Sequence, residues 1–252
     1  MVIKFIKKTV IKILSFLNLE ISYSYLSFDD IYGKFLDGRI IILDVGANDG
    51  RSIKRFKKIF PKSEIHSFEP LISQKITLRN IQENFSDIVI NNFALGNKKE
   101  KGKLIINTKD DTSSFLKLDL NSEWVKKRSQ EYKVNKEDFM RSVQEVEIET
   151  LDNYLENNNI EYISILKIDV QGFEEEVLEG GKSSLKNNLF EFIEVEIILS
   201  NVYERKQSFL NIEKHLIPNN YELVAINKSG FNNIYEGYIF QFDLLYKLSK
   251  KI

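Results

Sequence analysis

Along much of the chain, short apolar runs alternate with amphipathic stretches. Ile40 to Leu43 is a β-branched apolar run ending at Asp44 and Gly46, the pattern of a strand buried on both faces. Ser52 to Phe60 then sets Ile53, Phe56, Ile59 and Phe60 on one helical face, and Pro61 stops it. Glu64 to Phe68 predicts a second strand, closed at Glu69-Pro70 because proline pushes its predecessor out of the helical region. Ser73 to Asn84 predicts a helix and Ile88 to Phe93 a third strand. Strand–helix repeats in this succession imply an α/β fold, a mostly parallel, doubly wound sheet with helices on both faces.

Beyond Gly96 the rhythm breaks. Lys98 to Lys103 reads as a charged turn, Leu104 to Ile106 as a short strand and Val143 to Glu149 as a half-exposed one. Between them, Thr108 to Arg141 is polar and charged and carries the single tryptophan, Trp124. Stretches this long without a period are usually functional or disordered, so residues 108–142 read as an inserted cap segment. Trp124, Tyr132 and Phe139 within it would either stack on a ligand ring or form a small satellite core. The alternation resumes with a helix opening at Thr150-Leu151-Asp152 and a core strand from Ile163 to Ile168 that ends at Asp169 and Gly172. A helix from Glu174 to Leu185, a strand from Phe190 to Leu199 and a helix from Ser208 to Leu216 follow. Tyr221 to Ile226 and Tyr238 to Tyr246 are the last strands. The expected organisation is one domain over residues 39–252, preceded by an extension of residues 1–38.

In that extension Ile3, Ile6, Val10, Ile13, Leu14 and Leu17 recur at helical spacing, with Lys4, Lys8 and Lys12 on another stripe. The lysines interrupt any apolar run of about 18 residues, so no span is expected, and no signal-peptide cleavage site follows. Such a basic amphipathic helix either packs on protein, the main domain or a second copy in a homo-oligomer, or makes peripheral membrane contact through residues 1–21.

Composition narrows the chemistry. Lys+Arg 36 against Asp+Glu 37 lacks the footprint of a nucleic-acid binder. No Asn/Asp-Pro-Pro-Tyr/Phe tetrapeptide of a DNA methylase occurs among the 3 prolines. With Cys at 0, disulfides, thiolate metal sites and cysteine nucleophiles are excluded, which fits a cytoplasmic location. Two histidines, His66 and His215, leave little for a histidine triad or metal site. Catalysis falls to carboxylates, amides, hydroxyls and backbone.

In open α/β sheets the ligand lies beyond the carboxyl ends of the strands. The first strand ends in Asp44-Val45-Gly46-Ala47-Asn48-Asp49-Gly50, whose glycines let backbone approach a nucleoside closely. Asn48 stands where a dinucleotide fingerprint has its middle glycine, which weakens the alternative of a nucleotide-sugar or NAD-dependent oxidoreductase. Glu69, ending the second strand, suits both hydroxyls of a ribose. Asp169, ending the fourth core strand, is the candidate general base, with Glu196 second. Glu194 and Glu196 alternate with apolar residues, so they face solvent at an edge or point into the site. Glu174 is a site residue or an ordinary helix cap. Mg²⁺ held by Asp169 and Glu196 would acidify a hydroxyl, although the ligand spacing is not distinctive.

Taken together, Asp44 to Gly50, Phe68-Glu69-Pro70, Phe93-Ala94-Leu95-Gly96, Thr150-Leu151-Asp152 and Lys167 to Glu174 resemble the FkbM family of S-adenosylmethionine-dependent methyltransferases. The resemblance spans roughly residues 40 to 227. It implies a Rossmann-like class I methyltransferase fold and O-methylation of a hydroxyl, often on a sugar of a surface glycan or glycoconjugate. It also implies that Asp44, Gly46, Asn48 and Gly50, with Ala47 and Ser52 in the same loop, surround the methionine end of the cofactor. Glu69 and Pro70 would meet the ribose, and Asn92, Ala94 and Leu95 the adenine. Asp111, Ser113 and Ser114 are similar to the family's acidic-then-Ser-Ser stretch, and Asp169 would serve both cofactor and acceptor. A non-catalytic membrane-associated binding protein is the remaining alternative, and it leaves the acidic rim unexplained.

Overall fold

The computed structural model describes residues 26–85, 87–227 and 240–249; the amphipathic stretch of residues 1–21 lies outside them. The first half builds β1 (Ile41–Val45), α2 (Arg51–Ile59), β2 (Glu64–Phe68), α3 (Lys75–Glu83) and β3 (Ile88–Asn91), preceded by α1 (Phe28–Phe35). The second half builds α5 (Leu151–Asn157), β7 (Ile163–Ile168), α6 (Glu174–Gly180), α7 (Lys182–Lys186), β8 (Phe190–Ile198), α8 (Phe209–Leu216), β9 (Tyr221–Asn227) and β10 (Gln241–Leu248). These strands form one sheet in the order β3-β2-β1-β7-β8-β10-β9. The first five run parallel, and β10 enters antiparallel between β8 and β9. The winding reverses between β1 and β7, which creates the crevice where doubly wound sheets bind ligands. This is the mostly parallel, doubly wound α/β fold that the strand–helix rhythm predicts, and it is Rossmann-like as the resemblance implies.

Alternation along the central strands divides the core into two layers. Ile41, Leu43 and Val45 of β1 join Leu166 and Ile193 on the side covered by α5 to α8. Ile40 and Ile42 join Ile165 and Phe192 on the side covered by α1 to α3. On this second side the register stacks the layers in steps. Ile65, Ile42, Ile165 and Phe192 form an apolar row, and two residues further on Ser67, Asp44, Lys167 and Glu194 form a polar one.

Helix α1 was expected to belong to the extension, but it packs inside the domain. Ser27 and Asp30 form a capping box, and Phe28, Ile31 and Tyr32 are buried with Phe56 and Phe192. The Tyr32 hydroxyl donates to Glu194 Oε2 at 2.7 Å. The expected helix from Glu174 to Leu185 is broken into α6 and α7. A Cβ on Gly180 would sit 2.0 Å from the Gly96 carbonyl oxygen, so this close crossing admits only glycine.

Between the halves lies a second sheet of β4 (Ala94–Gly96), β5 (Glu100–Asn107) and β6 (Met140–Thr150), in the order β4-β6-β5. The charged turn expected over Lys98 to Lys103 becomes strand from Glu100 onward, because β6 offers Glu145 and Glu147 to Lys101 across the ladder. Within residues 108–142, α4 (Glu123–Tyr132) carries Trp124 and Val125 into a satellite core with Phe139, Ile198, Val202, Tyr203 and Phe240. Among the described residues no helix is long and apolar enough to cross a membrane. Tyr32→Phe should cost about 1.5–3 kcal/mol, since it removes a buried hydrogen bond to a charged carboxylate. Thermal unfolding would register a melting point several degrees lower; an unchanged one would show that the hydroxyl does not hold α1.

Candidate active site

A cleft of about 700 Å³ opens at the carboxyl ends of β1, β2, β7 and β8. On the β1 side the chain turns at Gly46, whose φ is 87°. A Cβ there would fall 1.9 Å from the carbonyl oxygen of Asp169. The turn is held from both sides: Gly46 and Ala47 donate to the Phe68 carbonyl at 3.0 and 3.1 Å, and the Asp169 amide donates to Val45 at 3.0 Å. Gly50, with φ 75°, is the N-cap of α2. Glu69 accepts the Asn48 amide at 2.7 Å and the Leu71 amide at 2.8 Å, one on each carboxylate oxygen. Burial, with the charges of Asp44 and Asp169 nearby, outweighs these bonds and pushes its pKa up to about 7.

The β7–β8 side is a set of acidic groups around one ammonium. Burial alone would discharge Lys167, but Asp169, Asp44 and Glu194 together keep its pKa above that of an ordinary lysine. Its Nζ lies 3.2 Å from Asp169 Oδ2. Asp169 also accepts Gln171 Nε2 at 3.0 Å, and the same nitrogen reaches Glu196 Oε2 at 2.8 Å. Gln241 Nε2 donates to the other Glu196 oxygen at 2.7 Å. Burial opposes ionisation of both carboxyls. Lys167 and Gln171 nevertheless hold Asp169 below the usual aspartate range. Glu196 is pushed well above the glutamate range by burial and by the charges of Asp169, Glu174 and Asp243. Asp169 is therefore the ionised partner and Glu196 the protonated one. Glu194 points inward as well, accepting Tyr32 and Arg55 Nη1, each at 2.7 Å.

Of the residues singled out in the sequence, Gly46, Ala47, Asn48 and Ser52 line the cleft from the β1 loop, and Glu69 and Pro70 from β2. Ala94, Leu95, Asp111 and Ser113 line its outer wall, and Asp169 and Glu196 its floor. Four expected contacts do not line it. Asp44 lies beneath the loop, accepting Ser52 Oγ at 2.5 Å, and its other oxygen has no partner. Gly50 faces Leu78 and Ile81 of α3. Asn92 is exposed beyond β3. Ser114 is buried and donates to the Gln171 carbonyl at 2.7 Å. Glu174 proves to be neither helix cap nor cleft residue. Fully buried, it accepts the amides of Val170 and Gly172 and the side chain of Gln207, and burial pushes its pKa up to about 7. Among the described residues, no three acidic or histidine side chains are grouped to hold a metal ion.

Sequence reasoning missed Gln171, Gln241, Arg55 and Tyr203. Gln171 stood inside the quoted Lys167 to Glu174 motif, and its position beside Asp169 was the available signal. The other three come from elements remote in sequence, and nothing local marks them.

The family model described as Methyltransferase FkbM domain matches residues 44–223, from Asp44 of the β1 end into β9. The chain belongs to that family. The 2-O-methyltransferase NoeI of Sinorhizobium fredii (strain NBRC 101917 / NGR234) is 27% identical over 188 residues, covering 73% of each chain. Methyltransferase 1 of Beauveria bassiana (strain ARSEF 2860) is 28% identical over 144 residues, covering 55% of this chain and 57% of its own. A solved rRNA methylase from Streptococcus thermophilus aligns with a TM-score of 0.49 at 11% identity, covering 91% of this chain and 99% of its own. By its family membership, this FkbM protein is a methyltransferase dependent on S-adenosylmethionine. The donor set fits that cofactor: Glu69 offers acceptor oxygens for a diol, and Asp169 carries a negative charge for a cationic ligand, in a cleft of suitable volume. In the FkbM protein, Gly46→Ala should abolish calorimetric binding of S-adenosylhomocysteine, because the added methyl group collides with rigid backbone. Binding within about threefold of wild type would show that the loop relaxes at little cost.

Proposed function

We propose that this protein is an O-methyltransferase acting on a hydroxyl of an uncharged sugar, carried on a surface glycan or glycoconjugate. The observation that carries the reading is Asp169, a carboxylate kept ionised by Lys167 at the switch point, between the Gly46–Glu69 half of the cleft and the Glu196–Trp124 half. The name of the relative NoeI, a 2-O-methyltransferase, supports the O-direction.

When bound, the cofactor supplies an electrophilic methyl group on a sulfonium whose departure leaves a neutral thioether. The protein's own contribution is alignment and a place for the proton. Asn48, Glu69 and Leu71 form one connected backbone–carboxylate unit, in which each Glu69 oxygen keeps capacity for a ribose hydroxyl. Ala94, Leu95 and Phe115 supply apolar wall for the adenine. Asp169 accepts the proton of the acceptor hydroxyl as its oxygen attacks, a role generally worth about 10²–10⁴-fold in rate. Glu196, holding a proton, donates a hydrogen bond to the sugar. Further out, the edges of Trp124, Ile198 and Phe240 that line the cleft give an apolar boundary for a sugar, while Glu194 and Asp243 disfavour a phosphate or carboxylate beside the reacting hydroxyl. A cytoplasmic location belongs to the same reading, with residues 1–21 either packed on protein or in peripheral contact with the inner membrane face.

Two measurements test it. Binding of 5′-methylthioadenosine, which has the ribose without the amino acid, should strengthen roughly tenfold from pH 6 to pH 8 as Glu69 ionises. Burial raises this carboxyl, so the free protein holds the proton below about 7 and must release it to accept two hydroxyls. Glu69→Gln should bind more weakly, with a flat pH profile; a wild-type profile that is already flat removes Glu69 from the ribose. The second measurement is transfer of labelled methyl from S-adenosylmethionine to a neutral surface glycan of the source organism. Asp169→Asn should lower that turnover by about 10²-fold or more. No labelled glycan with wild-type protein, or full turnover in Asp169→Asn, would overturn the acceptor or the base respectively.

A further inference from the structure

One residue of the cleft floor has no role in the reaction described so far, yet much of the surrounding structure holds it in place. Gln171 is a non-glycine residue with φ 56°, a left-handed conformation that glutamine adopts only when its surroundings compel it. The turn around it is clamped from three directions. Glu174 accepts the Val170 and Gly172 amides, at 3.0 Å and at 3.1 and 3.0 Å. Arg205, itself bonded to Glu176, donates to the Gly172 carbonyl at 2.6 Å. Ser114, from the segment after β5, donates to the carbonyl of Gln171 itself at 2.7 Å.

These clamps place one carboxamide nitrogen between two carboxyl groups. Its protons go to Asp169 Oδ1 at 3.0 Å and Glu196 Oε2 at 2.8 Å. A flipped amide would turn its oxygen toward the ionised Asp169 Oδ1 and lose the bond donated there. The Tyr203 hydroxyl, shared with the Thr112 carbonyl, supports the present orientation by reaching Gln171 Oε1 at 3.3 Å. With Lys167 on Asp169 Oδ2 and Gln241 on Glu196 Oε1, each of the four carboxyl oxygens then has a nitrogen donor, beside the direct contact between the two carboxyl groups.

We propose that Gln171 is the positioning residue of this site, its single side-chain amide tying Asp169 to Glu196 and aiming both carboxyl groups into the cleft. The role assumes the methyl-transfer reading for its purpose but not for its geometry. The amide donates to both groups and so favours the anionic form of each. It thereby eases the approach of the ionised Asp169 to a second carboxyl group and leaves Lys167 to decide which of them ionises first. A residue without donors at this position would free both carboxyls to rotate and make both harder to ionise.

Carbon-13 NMR of the full-length apo protein, labelled at Asp and Glu carboxyls, reads this directly. Asp169→Asn and Glu196→Gln assign the two signals. In Gln171→Met, which keeps the length and removes the donors, both titration steps of the pair should move up by about one pH unit. Tyr203→Phe, which loosens the amide without touching either carboxyl, should move them the same way by less, and it keeps the test open if Gln171→Met does not fold. Steps within about 0.3 unit of wild type in a folded variant would overturn the proposal, since a purely structural residue leaves them in place. The titration uses neither cofactor nor acceptor. A failure to methylate glycan would therefore reject the functional reading while leaving this result intact, and an unmoved titration would reject this inference alone.

Discussion

A buried ammonium underlies the arrangement of this protein. Lys167 sits on the central strand of the sheet, paired in register with Asp44 on one side and Glu194 on the other, with Asp169 two residues on. Acidic side chains in one layer of a folded core would repel one another and lose their hydration, and a buried carboxylate without a partner is strongly destabilising. The lysine makes the layer tolerable, and it does so unequally. It contacts Asp169 directly and is the main influence opposing burial there, whereas on Glu196 burial and the neighbouring carboxylates outweigh it. One cation thus sets the division of charge across the floor of the cleft.

Around this centre the fold uses each side of the sheet differently. The side under α5 to α8 is filled by aliphatic and aromatic side chains and contributes stability. The side under α1 to α3 begins apolar and turns polar toward the carboxyl ends, so the site grows out of the core as its last layer. Helix α1 is part of that transition: Tyr32 belongs to the apolar layer by its ring and to the polar layer by its hydroxyl on Glu194. The segment between β5 and β6 contributes from the opposite side. Its Trp124 and Phe139 build a satellite core, and its Ser114 and Thr112 reach the turn after β7 through Gln171 and Tyr203. The same segment that walls the outer cleft therefore also braces the turn after β7.

Much of this was legible in the chain. Apolar β-branched runs ending in Asp44-Val45-Gly46 and Asp169-Val170-Gln171-Gly172 announced β1 and β7, because only strands buried on both faces tolerate them. The motifs at their ends pointed to an S-adenosylmethionine fold, and the family match over residues 44–223 agrees with that reading. Other features were not legible. The inward orientation of Glu194 and Glu196 was balanced against an exposed edge, and it was decided by β10 inserting beside β8. Strand β4 has three residues and no pattern of its own; it exists because β6 and α6 pack on it.

The sequence by itself determined the strand–helix order of the main sheet through β8, the two glycine turns at the switch point and the restriction of catalysis to oxygen and nitrogen groups. These depend on residues close together in the chain, where periodicity and backbone freedom are local properties. The tertiary structure alone decided which acidic group keeps its proton, which one faces the ammonium and which amide joins them. Gln171, Gln241, Lys167 and Glu196 come from three different strand ends, and the ionisation of each depends on charges only a few ångströms away in space. That distance is set by register and burial, and neither is written in any one stretch of sequence.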